Sequence, residues 1–135
     1  MADLVRATLR LRPDRIVVGE VRGAEALDLL KAWGTGHPGG IATVHAGSAL
    51  GALTRLEQLV QEVSVTVPRT LITEAVHVIV FIAGRGRARR VREIACVIGH
   101  DNEGYQLDTS AVPGFPLLSS SRPAPSTPSS PGEPS

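Results

Sequence analysis

The apolar positions of this chain change period several times, and each change marks an element. Leu4, Val5, Thr8 and Leu11 keep helical spacing behind Asp3, which is placed to cap the segment, and Pro13 ends it. Ile16-Val17-Val18-Gly19 is an unbroken, β-branched run, which predicts a strand buried on both faces as in a parallel sheet, with Glu20 at its end. A helix follows from Ala24 to Trp33, expected to bury Ala26, Leu27, Leu30 and Trp33 and to stop at Gly34. The turn through Gly36, Gly39 and Gly40 leads into a second short strand, Ile41 to His45.

Ser48 is positioned to cap a longer helix whose stripe is Leu50, Leu53, Leu56, Val60 and Val63, expected to pack on a sheet. Pro68 suits the first position of another helix, to about Ala75. Strands are then expected at Val76–Ala83 and Arg90–Ile98 around the loop Gly84–Ala88. After the turn Asp101-Asn-Glu-Gly104, Tyr105–Leu107 can add a third. Strand alternating with helix in the first half says parallel α/β. Consecutive strands near the end say an antiparallel edge or a small hairpin sheet.

Residues 112–135 differ in kind: they hold seven of the ten prolines and seven serines, but only two charges, Arg122 and Glu133, and one aromatic, Phe115. This composition predicts disorder, and a docking-ligand reading lacks an anchor in Arg122-Pro-Ala-Pro-Ser-Thr-Pro. The chain therefore divides into one domain, residues 1–110, and a Pro/Ser-rich tail, 111–135. A total of 135 residues, 42% of them hydrophobic, suits one globular domain and not two.

Fourteen Lys plus Arg against 13 Asp plus Glu leave a net charge of +1, too weak a field to imply nucleic acid as the default partner. A single cysteine, Cys96, excludes an intrachain disulfide framework and a Cys-built zinc site. No apolar run approaches the roughly 20 residues of a spanning helix, and no signal-peptide pattern follows Met1. Arginines 85, 87, 89, 90 and 92 form the one basic cluster, on the loop between two apolar strands. They read as a solvated loop. The alternative, contact with nucleic-acid or lipid phosphates, lacks an interleaved aromatic for base stacking.

The candidate chemistry lies at the ends of the first two strands. Ligands of open parallel sheets bind beyond the carboxyl ends of the strands, so Glu20 is expected at a crevice. If the strands are neighbours, Glu20, Thr43 and His45, with His37 from the preceding turn, converge on one rim. Such a group can orient water, hold a hydrated Mg²⁺ through solvent and contact a terminal phosphate. The competing reading is a solvated strand end whose glutamate simply pairs with Arg22, and a histidine, His37, that satisfies backbone groups in its turn. A metal-hydrolase reading of His37, His45 and Glu20 is weaker, because eight residues separate the histidines and no HExxH-like helix carries them.

The segments Leu9-Arg-Leu-Arg-Pro-Asp-Arg-Ile-Val-Val-Gly-Glu-Val-Arg-Gly23 and Thr35-Gly-His-Pro-Gly-Gly-Ile-Ala-Thr-Val-His-Ala46 together resemble the Walker B segment and histidine box of the secretion and conjugation ATPases. Among that family's members, the TrbB-type conjugal transfer ATPases are the ones this chain looks most like. The likeness runs from about Asp3 to about Thr109. It implies the C-terminal portion of a RecA-like P-loop ATPase core, with Mg-ATP as the ligand.

By this resemblance Glu20 is the catalytic glutamate that positions the attacking water and helps hold Mg²⁺, and Gly19 stands where other P-loop ATPases place aspartate. His45 and Thr43 belong to the box that senses the γ-phosphate, His37 shapes its glycine turn, and Arg22 ties the Walker B turn to its neighbours. Arg10 and Arg12 precede the strand as in the family, without an assigned role. The resemblance further implies self-association into a hexameric ring, or association with full-length ATPase subunits. It places the ring with the secretion machinery on the cytoplasmic face of the inner membrane, with no direct sequence-specific binding of nucleic acid.

The family's G-x-x-x-x-G-K-[ST] loop does not occur in these 135 residues, and the sole lysine, Lys31, lies in an expected helix. By the resemblance, the Walker A strand and the domain before it are expected upstream of Met1. A sheet without that strand is expected to show an open apolar edge and poor solubility. Two other readings of the chain follow from the same gap: a non-catalytic interaction module, or a gene remnant.

Overall fold

The computed structural model describes residues 1–110 except 12, 38, 67 and 68. Arg12, the N-terminal role of Pro68 and the expectation for residues 112–135 therefore fall outside the described residues. Along the chain run α1 (Ala2–Arg10), β1 (Val17–Val18), α2 (Glu25–Gly34), β2 (Ile41–Ala42), α3 (Ala49–Gln61), α4 (Arg69–Ala75), β3 (Val78–Ala83), β4 (Arg90–His100) and β5 (Tyr105–Asp108). A single 3₁₀ turn, Gly86–Ala88, bridges β3 and β4. The α/β class holds, and the sheet comes in two parts: β1 and β2 pair in parallel, and β3, β4 and β5 form an antiparallel sheet in that order.

Sequence logic accounts for most of these elements. Ser48 caps α3, its hydroxyl oxygen accepting from the Gly51 N–H at 2.9 Å. Glu93 of β4 also accepts from the Ala49 N–H at 3.1 Å, tying the start of α3 to the antiparallel sheet. Asp101 builds the β4–β5 turn by accepting from the Glu103 and Gly104 amides at 2.8 and 3.0 Å. Asp3 does not cap α1, because the helix begins at Ala2 and Asp3 lies in its first turn.

The core gathers Leu29 and Leu30 of α2, Leu53, Leu59 and Val60 of α3, and Ile72 of α4 beneath Ile16, Val18 and Val21. Expected stripes shift accordingly. In α2 Leu29 is buried, while Leu27 and Trp33 are only partly covered. In α3 the covered arc is Ala49, Ala52, Leu53, Leu59 and Val60. Leu50 lies roughly 100° round from Ala49 and is exposed, and Val63 falls beyond the helix end. The arc is wide because α3 touches helices α2 and α4 on one flank and β3, β4 and β5 on the other.

The first strand is shorter than expected and is not buried on both faces: Ile16 and Val18 are covered, whereas Val17 is 70% exposed. Core side chains lie on the face of Ile16 and Val18, and among the described residues nothing covers the opposite face. The second strand is likewise trimmed to two residues. Helix α2 runs through Gly34, and the chain turns at Gly36, whose φ of +126° only glycine adopts without strain. Gly40 serves a different purpose. A Cβ there would overlap the indole of Trp33 and stand 2.7 Å from the Ile16 carbonyl oxygen, which accepts the Ile41 N–H at 3.2 Å. Only a bare backbone lets α2 press its tryptophan on the start of β2.

Candidate functional site

Parallel pairing of Val17 with Ile41 and Val18 with Ala42 brings the carboxyl ends of β1 and β2 to one rim. The residues just past each strand meet there. Thr43 is held from both sides: its hydroxyl donates to the Gly19 carbonyl, and its own carbonyl accepts from the Val21 N–H at 2.9 Å. His45 Nε2 lies 3.0 Å from Glu20 Oε1, and the Arg22 guanidinium engages the other oxygen, Oε2. Glu20 is thus the pivot of the rim, its side chain 22% exposed between two more open partners.

Electrostatics fixes the state of that carboxylate. The hydrogen bond from Arg22 is the main reason its pKa lies below the usual carboxylate range; partial burial opposes the shift, and the charges of Arg22 and His45 add to it. Arg22 is raised for the reciprocal reason, its bond to Glu20. A lowered pKa favours the ionised form, a hydrogen-bond acceptor that can orient a water molecule. Glu20, Val21, Arg22, Val44, His45 and Arg55 line a cleft of about 350 Å³ at this rim.

The other expected residues fall as follows. Gly19 adjoins the rim through its carbonyl, and a Cβ at this position would meet nothing within 4 Å, so packing alone does not require glycine. His37 is not joined to Glu20, Thr43 or His45 by any described hydrogen bond or ion pair. Its amide donates to the Ala32 carbonyl at 3.2 Å, and its Nδ1 is buried without a partner among the described residues. Among the described residues no group of three or more His, Cys, Asp or Glu is arranged to hold a metal ion. A single carboxylate, Glu20, stands at the rim with oxygens able to accept from a cation's water.

Two residues at the rim have no signal in the two sequence segments above. Arg55 arrives from α3, and its guanidinium donates to Gln58 Oε1 at 3.2 Å. Glu25, 7% exposed, is the buried acid of the fold: its Oε1 accepts from the amides of Arg22 at 2.8 Å and Gly23 at 3.3 Å. It thereby sets the turn that carries Glu20 and Arg22 into α2. A glutamate in the first turn of a helix behind glycine is the legible trace of such a cap.

The chain as a whole is similar to known proteins. The family described as type II/IV secretion system protein matches residues 1–92. The conjugal transfer protein TrbB of Rhizobium radiobacter is 55% identical over 108 residues, which are 80% of this chain and 33% of that protein. A probable TrbB of Sinorhizobium fredii is 53% identical over 112 residues, 83% of this chain and 34% of the relative. The chain thus spans about a third of the length of these curated relatives. Among solved structures, the VirB11 ATPase from the Brucella suis type IV secretion system, crystallised in complex with sulphate, superposes with a TM-score of 0.64 at 33% identity. That match covers 69% of this chain and 30% of the other. Its fold is that of this ATPase's corresponding portion, and the chain belongs to the type II/IV secretion system protein family.

Proposed function

We propose that this chain supplies the water-positioning carboxylate and the phosphate-sensing rim of an ATPase that powers conjugal transfer or type IV secretion. One observation carries the reading: Glu20 at the end of β1 is clamped between Arg22 and His45, while Thr43 of the neighbouring segment holds the Gly19 carbonyl. Mg-ATP, when bound, supplies the electrophilic phosphorus and the cation that offsets its charge. With Mg-ATP bound, the ionised Glu20 would accept a hydrogen bond from the attacking water and orient it, and would hold Mg²⁺ through solvent. His45, exposed and within reach of Glu20, and Thr43 sense the γ-phosphate. Arg22 keeps Glu20 ionised and oriented. Gly19 leaves room beside the strand end, and His37 shapes the glycine turn behind the rim. The subunit works in a hexameric ring with intact ATPase subunits, in the cytoplasm against the inner membrane.

The test is complementation. An intact family subunit whose glutamate aligned with Glu20 is replaced by glutamine is mixed with this chain, and Mg-ATP hydrolysis is measured. The native chain is expected to restore hydrolysis, and the Glu20→Gln chain to restore on the order of 10² to 10⁴ less. Equal restoration by both chains removes the role of Glu20. A second reading is an interaction module that enters rings without hydrolysing ATP. Ring incorporation without restored hydrolysis by either chain is its signature.

A further inference from the structure

Arg55 reaches the rim from α3 and belongs to neither strand end. The chain leaves His45, caps α3 at Ser48 and places Arg55 in the second turn. Helical side chains lean back toward the N-terminus, which for Arg55 means over Gly51, a residue with no side chain to block the way. Gln58, one turn further on, leans the same way and accepts from the Arg55 guanidinium at 3.2 Å. A neutral acceptor fixes the side chain and leaves its charge uncancelled. Among the described residues no carboxylate forms an ion pair with Arg55. The nearby acid on α3, Glu57, is spent on Arg69 at 2.7 Å and on the Tyr105 hydroxyl at 2.8 Å.

The other donors around the cleft are engaged. The Arg22 guanidinium and His45 Nε2 each hold one oxygen of Glu20, and the Thr43 hydroxyl donates to the Gly19 carbonyl. The start of α3 is committed too: the Ala49 amide donates to Glu93 and the Gly51 amide to Ser48. Two guanidinium cations and one carboxylate leave the cleft net positive. Glu20 and Arg22 cancel each other, so the excess charge is that of Arg55. One of its N–H donors is committed to Gln58, and the others belong to a planar fork of the kind that grips two oxygens of a phosphate at once. A cleft of about 350 Å³ admits a phosphate with several waters, each of which takes about 30 Å³.

We propose that Arg55 is the phosphate-contacting residue of this cleft, its guanidinium gripping phosphate oxygens in the space beside Glu20. This role rests on the rim being a site for nucleotide phosphates. It gives different work to two cations that a formal charge count makes equal. Arg22 faces Glu20 and keeps it ionised, whereas Arg55 faces the incoming anion. An arriving phosphate meets Arg55 without first breaking an ion pair, which contact with Arg22 would require. Because Arg55 and His45 sit at the two ends of one continuous segment, capped at Ser48, a phosphate held by Arg55 also lies against the imidazole that touches Glu20.

The probe is inorganic phosphate, titrated into the full ¹⁵N-labelled chain at constant ionic strength while the arginine Nε–H and histidine ring resonances are followed by NMR. Saturable shifts are expected at Arg55 and His45. In Arg55→Gln the affinity is expected to fall about ten- to a hundredfold, the worth of a charge-assisted pair. Arg55→Lys is expected to recover only part of it, since a point charge replaces the fork. Arg87→Gln removes the same charge from the turn between β3 and β4 and is expected to leave affinity within about twofold, exposed charges at a distance being screened. No saturable shift in the native chain, undiminished binding by Arg55→Gln, or equal losses in Arg55→Gln and Arg87→Gln overturns the proposal. Should Arg55→Gln not fold, the native shifts decide: confined to the cleft they uphold it, and on the arginines between β3 and β4 they overturn it. Glu20→Gln separates this contact from the water-positioning role. It is expected to bind phosphate at least as well, one negative charge having left the cleft. Phosphate held by Arg55 while Glu20→Gln restores hydrolysis as fully as the native chain means that the role of Glu20 has failed and the contact stands. No phosphate contact with the role of Glu20 upheld means that the contact alone has failed.

Discussion

Glu25→Ala is expected to be among the costliest single changes near the rim, although Glu25 lies outside the set of residues proposed to touch nucleotide. Its carboxylate accepts a well-formed bond from the Arg22 amide at 2.8 Å and a longer one from Gly23 at 3.3 Å, while 93% covered. A hydrogen bond to a charged group contributes about 1.5–3 kcal/mol, and a half-buried amide left without an acceptor adds to the loss. Loss of a carboxylate at the start of α2 removes a further few tenths. The sum is about 2–4 kcal/mol, a large share of a small domain's stability, and lowers Tm on the order of 10 °C.

The sole tryptophan, Trp33, sits near the other end of α2 and reports the unfolding by fluorescence. A pH series adds a sign. Burial pushes the Glu25 pKa up, but the amides of Arg22, Glu25 and Gly23 outweigh it and hold the carboxyl below its ordinary value. The folded state thus binds that proton more weakly than the unfolded one. The stabilisation is full above the ordinary carboxylate pKa and is lost as pH falls through the lowered value. The gap between native chain and Glu25→Ala is therefore expected to narrow on acidification. A Tm change under about 2 °C, or a gap equal at neutral pH and at about pH 3, refutes the capping role.

Gly40→Ala is expected to destabilise by about 1–3 kcal/mol in urea titration and to shift Trp33 emission, because the new Cβ overlaps the indole. In Arg22→Gln, ¹³C titration of the Glu20 carboxyl is expected to move toward ordinary values, and further than in His45→Ala, since the Arg22 bond is the larger cause. Tyr105→Phe removes the hydroxyl's bond to Glu57, made at 2.8 Å, and is expected to cost about 1–2 kcal/mol by thermal melting. Burial, with the Glu57 bond and charge, also raises the Tyr105 pKa, so native stability declines as pH rises past the ordinary phenol value; the variant lacks that decline.

Local signals were readable wherever one residue and its near neighbours decide the outcome. The hydroxyl at Ser48, the Asp101 turn and the apolar run of β3 each act within a few positions, and the structure has them. The rim was legible conditionally: Glu20, Thr43 and His45 meet only because β1 and β2 pair, which nothing local dictates. Arg55 has no local signal because its cleft exists only after packing, whereas the trace of Glu25, an acid in the first helical turn behind Gly23, is local. The place of His37 is set by its turn, where its amide donates to the Ala32 carbonyl.

The α/β alternation, the antiparallel close of the chain and the family to which the two motifs point could all be read along the chain. These rest on period, turn chemistry and residue type, all short-range. Packing settled that the strands part into two sheets across an apolar trough, that Val17 lies uncovered while Ile16 and Val18 are buried, and that Arg22 and His45 grip Glu20 from both sides. Each of these turns on which strand or helix comes to lie beside which. A hydrophobic pattern states that a face must be covered and leaves open what covers it.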